Sequence, residues 1–488
     1  MSPLATKKLK AIVQRILPKS RFARSASLLA GGAVAGQAII VAASPILTRL
    51  YSPEDFGVLA VFASLLSILS IVASLRYQLA IPLPKTDEEA ANVTVLSLAV
   101  VVCIASLTAA VVIPLSQTIA SALNIPLLAG YLWLLPLGLL LVGTYEVLNY
   151  WAIRKRAFGA IAQTKLTQSL GTVGIQIGGY TLGPTALLIG RVVGQAAGLY
   201  KLGAMLIRDR RRFAQVRVSG IKASLKDYRS FPLVSTWSGL SSAGGAQLPP
   251  LLIAIIIGPV AAGLYALTHR VLSLPIGVIS KSMGDVFYSE AVEAKLQGTL
   301  GSLVVDIYYK MVAASLPIAM VLIISAPEVF SVVFGENWVR SGELASWMSF
   351  GVFFQFVTTP PGRVFLILER HGYALIFQLA FLLTTAASII IGGWWFNDII
   401  TIVAILTFGR SVVYCCRFWK ILDLVDEDAQ KLWIPLVKYL PYSILCALPA
   451  LFGFYMLDPS ENYLYIKIVL FVLSVLMSVV PPLKLVLK

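Results

Sequence analysis

Apolar runs of about twenty residues recur from residue 26 to residue 483, and polar positions gather in short breaks between them. A helical run of that length crosses a hydrocarbon core of roughly 30 Å. Reading the runs in order predicts fourteen spans, at 26–48, 58–83, 92–115, 128–152, 164–183, 185–206, 231–257, 262–287, 303–327, 342–368, 374–395, 399–419, 438–457 and 465–483. Turn chemistry marks the breaks, at Ser52-Pro53, Asn124-Ile125-Pro126, Gly183-Pro184, Gly258-Pro259 and Asp458-Pro459. The ten-residue alternating segments of a membrane β-barrel are absent, and no soluble domain fits between the runs. The pattern predicts an all-α polytopic membrane protein of about fourteen transmembrane helices.

Composition agrees. The 488 residues are 58% hydrophobic and 13% charged, whereas soluble domains are roughly 45–50% apolar and about 25% charged. A basic stretch, "KKLKAIVQRILPKSR", precedes the first run. The run at 26–48 is too long for a signal-peptide core of about 7–15 residues, so an uncleaved first helix is expected. Residues 5–17 read either as an amphipathic surface helix or as a frayed basic tail. Cys103, Cys415, Cys416 and Cys446 all lie inside apolar runs, without CxxC spacing. They read as packing residues, with neither a disulfide framework nor a metal site.

Charge sets the expected orientation. With the N-terminus and every second loop assigned to the cytoplasm, 28 Lys and Arg fall there, and only Arg49, Arg340 and Lys467 fall opposite. That asymmetry predicts both termini inside and accounts for the net charge of +16. The segment "RDRRRFAQVRVSGIKASLKDYR", 208–229, reads as an orientation signal resting on anionic lipid, not as a nucleic-acid patch.

Two stretches repeat in order. "LYSPEDFGVLAVF" (50–62) resembles "IIGPVAAGLYALT" (256–268), with Pro53 on Pro259 and Gly57 on Gly263. "IGRVVGQAAGLYK" (189–201) resembles "FGRSVVYCCRFWK" (408–420), with Gly190, Arg191 and Lys201 on Gly409, Arg410 and Lys420. A six-helix repeat places two lobes about a pseudo-twofold axis along the membrane normal, with a cavity near the midplane and a C-terminal helix pair outside it. The expected organisation is a basic N-terminal segment 1–25, an N-lobe 26–207, a basic linker 208–230, a C-lobe 231–420 and helices 13 and 14 within 438–488. Gly171, Gly174, Gly178 and Gly179, with Ser238, Ser241 and Ser242, suit close helix approach. Pro249-Pro250, Pro275 and Pro360-Pro361-Gly362 are expected break or kink points.

Eight cations remain within or at the ends of spans: Arg76, Arg191, Arg270, Lys281, Lys310, Arg363, Arg410 and Arg417; the acids there are mainly Glu146 and Asp285. A charge at a helix centre costs about 2.5–3.5 kcal/mol on insertion scales, and intramembrane charges mark functional sites by default. Arg270 is expected roughly 12 Å deep at 1.5 Å per residue, too deep to snorkel, where its planar fork suits a phosphate. Pairing with a carboxylate, or capping of broken-helix carbonyls, is the competing reading. Arg410 sits at similar depth. Arg76 and Arg363 lie nearer the cytoplasmic ends, where snorkelling competes, and Arg191 reads equally as an interface anchor. Glu146, His269 and Asp285 are candidates for proton or cation coupling, or for pairing with the arginines; His269 also reads as a packed neutral imidazole. Leu272 is expected to face lipid.

With these residues in hand, the chain resembles the Wzx-type polysaccharide flippases of the multidrug/oligosaccharidyl-lipid/polysaccharide exporter superfamily. The resemblance rests on the helix plan, on "TRLYSPEDFGVLAVF" followed by "SLRYQLAIPLP", and on "LYALTHRVLSLPIGVIS", which is similar to helix 8 of lipid II flippases. It covers essentially the whole chain with loose motifs. It implies that Arg76 and Arg270 line a central cavity and that helices 13 and 14 form a groove for an isoprenoid tail. It implies no cofactor, an inner-membrane location, and work beside a polysaccharide polymerase and a chain-length regulator. Helix 1 lacks the additional arginines of lipid II flippases, which favours a lipid-linked oligosaccharide as cargo. A multidrug cation antiporter would carry carboxylates in its cavity and about twelve helices. A polymerase or ligase would be expected to carry a large outer loop with Arg and His. Without a nucleophile triad, metal cluster or phosphate-binding Gly loop, the chain reads as a transporter and not an enzyme, with membrane lipid but no nucleic acid as partner.

Overall fold

The computed structural model describes residues 21–456 and 464–486. The stretch 5–17 and the Asp458-Pro459 turn lie outside these residues. Among the described residues there is no strand, and each of the fourteen predicted spans falls on helix, the sixth on two short ones, Pro184–Ala196 and Leu199–Arg208. The first half carries α1 (Arg21–Leu50), α2 (Pro53–Val72), α3 (Asp87–Val112), α4 (Leu134–Arg154), α5 (Phe158–Gly178) and α6 (Pro184–Ala196), the last followed by the helix Leu199–Arg208. The second carries α7 (Thr236–Ile256), α8 (Pro259–Gln297), α9 (Leu300–Phe334), α10 (Val339–Thr358), α11 (His371–Phe396) and α12 (Ile399–Leu424). The pair α13 (Ile434–Leu451) and α14 (Leu464–Val486) follows. Eight helices among the described residues are long and apolar enough by themselves to cross a membrane. Others, such as α5 with Lys165 and Gln168, are more polar because protein, and not lipid, covers one of their faces.

Local chemistry explains the boundaries. Pro184 and Pro259 open their helices at the first turn, where a missing N–H costs nothing. Thr86 and Glu89 form a capping box at the start of α3. Asp398 caps α12, accepting from the Thr401 amide and hydroxyl at 3.0 Å each. Those bonds, led by the amide, outweigh the modest burial that opposes them and hold the carboxyl below the usual carboxylate range. Asp398→Ala is therefore expected to cost about 0.5–2 kcal/mol at neutral pH. The cap's charged contribution is present above the unfolded pKa of about 4 and lost as pH falls through the lower folded value. A thermal-unfolding series of variant and wild type should show their midpoints converging only in strong acid.

Two predicted boundaries moved. The apolar pattern carried the second span to 83, but α2 stops at Val72. The chain there turns through Leu75 (φ 47°) and Arg76 (φ 65°) into a 3₁₀ turn, Tyr77–Ala80. The Ser74 hydroxyl donates to the side-chain Oε1 of the buried Gln78, so these polar groups satisfy each other in the turn. α10 ends at Thr358, and a turn at Pro361–Arg363 leads into the short helix Val364–Ile367, as the Pro-Pro-Gly sequence predicted. By contrast, α7 runs unbroken through Pro249 and Pro250, and α8 is helical through residue 275.

Two compact units are present. The first comprises Met1–Ala43, Leu65–Ile119 and Leu127–Ala243, within the described residues. In it α3 packs on α4, α5 on α6, and the short helix Val218–Asp227 on α3. At one end of this unit Asp87 binds Arg154 at 2.9 Å, Lys155 at 2.7 Å and Arg212 at 3.1 Å. Asp209 accepts from the Trp151 indole at 3.2 Å and pairs with Arg212 at 2.8 Å. Arg154 also donates to the carbonyls of Ile81, Pro82, Pro84 and Thr86. The basic segment is therefore docked through Asp209, on Trp151 and Lys155, and through Arg212, on Asp87.

The second unit comprises Ser44–Ser64, Ala120–Pro126 and Gly244–Lys488, within the described residues. Its core gathers Tyr308, stacked on Phe418 at 4.0 Å, with Phe287, Phe353 and Phe365. Here the first pair of repeat markers meets. A Cβ on Gly57 would overlap the Pro259 carbonyl oxygen, and one on Gly263 would overlap that of Pro53. The contact is reciprocal, as a local twofold between the starts of α2 and α8 requires.

Candidate functional site

The first unit holds a polar cavity of about 380 Å³. α2 supplies Ser67 and Ser70, the strained turn supplies Arg76 and Gln78, and α4 supplies Tyr145, Glu146, Asn149 and Tyr150. α5 supplies Lys165, and α6 supplies Arg191 and Gln195. The 3–4 spacing on α4 and α6 places these side chains on one face of each helix. Gln78 donates to Glu146 Oε2 at 3.2 Å, and Arg76 and Lys165 both act electrostatically on that carboxylate. The Lys165 ammonium lies 4.8 Å over the Tyr145 ring. Three cations, Arg76, Lys165 and Arg191, thus line the cavity with one carboxylate, and the first two act on it. Arg76 Nε, Asn149 Oδ1 and Arg191 Nε are buried without a hydrogen-bond partner.

A smaller cavity, about 170 Å³, lies in the second unit. Its polar lining is Tyr265, His269 and Ser273 of α8, Gln355 of α10, and Thr407, Arg410 and Tyr414 of α12. Arg410 Nε is buried without a partner, while the rest of its guanidinium reaches the Gly245 carbonyl, Nη2 at 3.5 Å, and the Tyr265 hydroxyl. Tyr265 stacks against His269 with centroids 6.0 Å apart. Among the described residues no carboxylate lines this cavity. Of six buried unpartnered side-chain atoms among the described residues, four belong to these two cavities. Native proteins leave few such atoms, and a missing polar ligand or water is a standard reason.

The other predicted residues take different places. Arg270 is half-buried, with its guanidinium 5.7 Å over the Phe56 ring; Phe56 packs edge-on against Trp338 at 4.9 Å. Neither cavity has Arg270 in its lining. Arg363 pairs with Asp285 at 2.5 Å, the carboxylate pairing that the sequence offered. Leu272 is buried, at 6% exposure, and packs in protein where lipid was expected. Sequence reading also missed Lys165, which it counted with a cytoplasmic loop. The polar series Thr164, Gln168 and Gln176 along α5, all buried, is the signal that could have placed it inside.

Comparison with known proteins follows from this geometry. An all-helical chain of this plan, with eight helices among the described residues long and apolar enough to cross a membrane, has the architecture of a polytopic membrane protein. The profile of the polysaccharide biosynthesis protein family matches residues 46–343, and the chain belongs to that family. No curated protein matches it. Among solved structures it is similar to the lipid II flippase MurJ in its inward closed conformation, at TM-score 0.69 and 11% identity over 92% of this chain and 97% of that one. It is also similar to an inward-facing multidrug resistance MATE family transporter of the MOP superfamily, at TM-score 0.62 and 17% identity over 80% and 94%. A third is a MOP superfamily transporter from Pyrococcus furiosus, at TM-score 0.52 and 16% identity over 83% and 97%; reversed polarity of its binding pocket is said to suggest a different function. These likenesses establish the fold, and the proteins matched are described as transporters and flippases, not enzymes.

Proposed function

We propose that the chain is a flippase that carries undecaprenyl-pyrophosphate-linked oligosaccharide repeat units from the cytoplasmic to the outer leaflet of the inner membrane, by alternating access. The observation that supports the reading is the set of arginines, Arg76, Arg191 and Arg410, that line polar cavities with Nε buried and without a partner. Fold alone does not choose the cargo; cavity charge does. Arginine forks complement pyrophosphate, and the tyrosines and amides around them suit sugar hydroxyls. A cavity for organic cations would need the opposite sign.

In this reading Arg76, Arg191, Arg410 and Arg270 receive anionic groups of the cargo. Arg363 does so only by exchanging its Asp285 partner. Glu146, held by Gln78 between Arg76 and Lys165, is the group placed to carry a coupling proton or Na+. Both termini lie in the cytoplasm, the isoprenoid tail follows α13 and α14, and the protein works beside a polysaccharide polymerase and a chain-length regulator.

Reconstitution in liposomes tests this directly. A fluorescent polyprenyl-pyrophosphate oligosaccharide should become accessible to an impermeant reagent in the opposite leaflet, at a rate the protein raises. Ethidium, an organic cation, should not be moved. Ethidium transport without movement of the lipid-linked sugar would replace this reading with the cation antiporter.

A further inference from the structure

The second pair of repeat markers falls on the two cavities. Arg191 and Arg410 are equivalent by the "GR…K" alignment. Arg191 lines the cavity of the first unit and Arg410 that of the second. Each has its Nε buried without a partner.

The residue before each arginine plays the same part in both units. A Cβ on Gly190 would sit 2.6 Å from Gln176 and 3.0 Å from the Thr172 carbonyl, both on α5. A Cβ on Gly409 would sit 2.8 Å from Thr384 and 3.3 Å from Ser388, both on α11. In each unit a glycine lets the arginine-bearing helix press against the helix before it, which fixes the arginine's backbone. Each arginine shares its cavity with two tyrosines and at least one amide: Tyr145 and Tyr150 with Gln78, Asn149 and Gln195 in the first unit, Tyr265 and Tyr414 with Gln355 in the second. The smaller cavity, about 170 Å³, is several times the roughly 30 Å³ share of a water.

We infer that each unit carries its own oxyanion site, built on Arg191 in one and Arg410 in the other, and that both take phosphate-type groups. The protein therefore offers two separate resting places for an anion. The first is the stronger, because Arg76 and Lys165 face the same space against the single carboxylate Glu146. The identification of a lipid-linked pyrophosphate as the natural occupant rests on the proposed function; the two sites themselves do not.

Titration calorimetry of the purified chain in maltoside detergent, with inorganic pyrophosphate as probe, tests the inference. The wild type should bind two per chain with unequal affinities. Arg191→Gln and Arg410→Gln should each bind one, and the double variant none. Arg191→Lys and Arg410→Lys keep a cation but lose the fork; each should weaken one site alone, by roughly ten-fold. If a glutamine variant fails to fold, its lysine counterpart decides the matter. A wild-type stoichiometry of one, no binding at all, or loss of both sites on either single substitution would overturn the inference. Two intact sites in a protein that moves no lipid-linked sugar would leave the inference standing and remove the flippase reading.

Discussion

Arg270→Ala is expected to abolish glycan export in a complementation assay while leaving the protein in the membrane at its normal level. Arg270 lies inside a membrane-spanning helix, and its guanidinium stands over the face of Phe56. A cation–π contact of this kind is worth about 0.5–2 kcal/mol, and an intramembrane charge marks a functional site by default. Loss of a charge-assisted contact to a phosphate costs about 1.5–3 kcal/mol, roughly a ten- to hundred-fold loss of rate. Arg270→Lys separates the roles. Lysine keeps a cation over the ring but presents a point charge where a fork was, so export should recover only partly. Full export by Arg270→Lys would assign the residue to the ring contact. Disappearance of the Arg270→Ala protein from the membrane would assign it to folding. Leu272→Ala is unsuitable as a silent control because Leu272 is buried. Ile279 on the same helix, 51% exposed, is the appropriate one.

Gly57→Ala and Gly263→Ala should each lower the thermal midpoint of the detergent-solubilised protein by several degrees. In both cases the added methyl meets a backbone carbonyl, of Pro259 or of Pro53, which cannot rotate away as a side chain can. The starts of α2 and α8 must then separate. Overpacking costs typically about 1–3 kcal/mol, and a rigid obstacle puts these sites at the upper end. Gly277→Ala gives the sign control. It lies on the same α8 with nothing within 4 Å of the new methyl, so helix propensity alone acts and favours alanine by up to about 1 kcal/mol. The double variant should cost less than the sum of the singles, because helices already parted by one methyl have room for the other. Midpoints unchanged by Gly57→Ala and Gly263→Ala would mean that α2 and α8 do not meet at these residues.

The helices were legible because apolar length is a strong and local signal. The twofold between α2 and α8 was legible from Pro53, Gly57, Pro259 and Gly263, since close approach leaves little choice but glycine. The turn at Leu75 and Arg76 was not. "SLRYQLAIP" contains no glycine at the two positive-φ residues, and tertiary contacts impose the strain. Site membership was half legible. Charge inside a span picked out Arg76, Arg191, Arg410 and Glu146, all of which line cavities. Which of two adjacent residues faces a cavity depends on helix rotation, and so His269 lines one where Arg270 covers a phenylalanine. Lys165 was misplaced because a lysine near a span end has the same sequence signature whether it points inward or toward the headgroups.

The Asp87–Asp209 network sets an order of events during synthesis. Arg154 and Lys155 can find Asp87 as soon as α4 has left the ribosome. Asp209 and Arg212 emerge about 55 residues after Arg154, which at about 5–20 residues per second is roughly three to eleven seconds of translation. Through that interval the loop Ile81–Thr86 is held by Arg154 alone, and Trp151 lacks its acceptor. This corner of the first unit is thus sealed by a segment that follows α6. A nascent chain arrested just after Ala196 would hold α1 to α6 and still be unfinished at this corner.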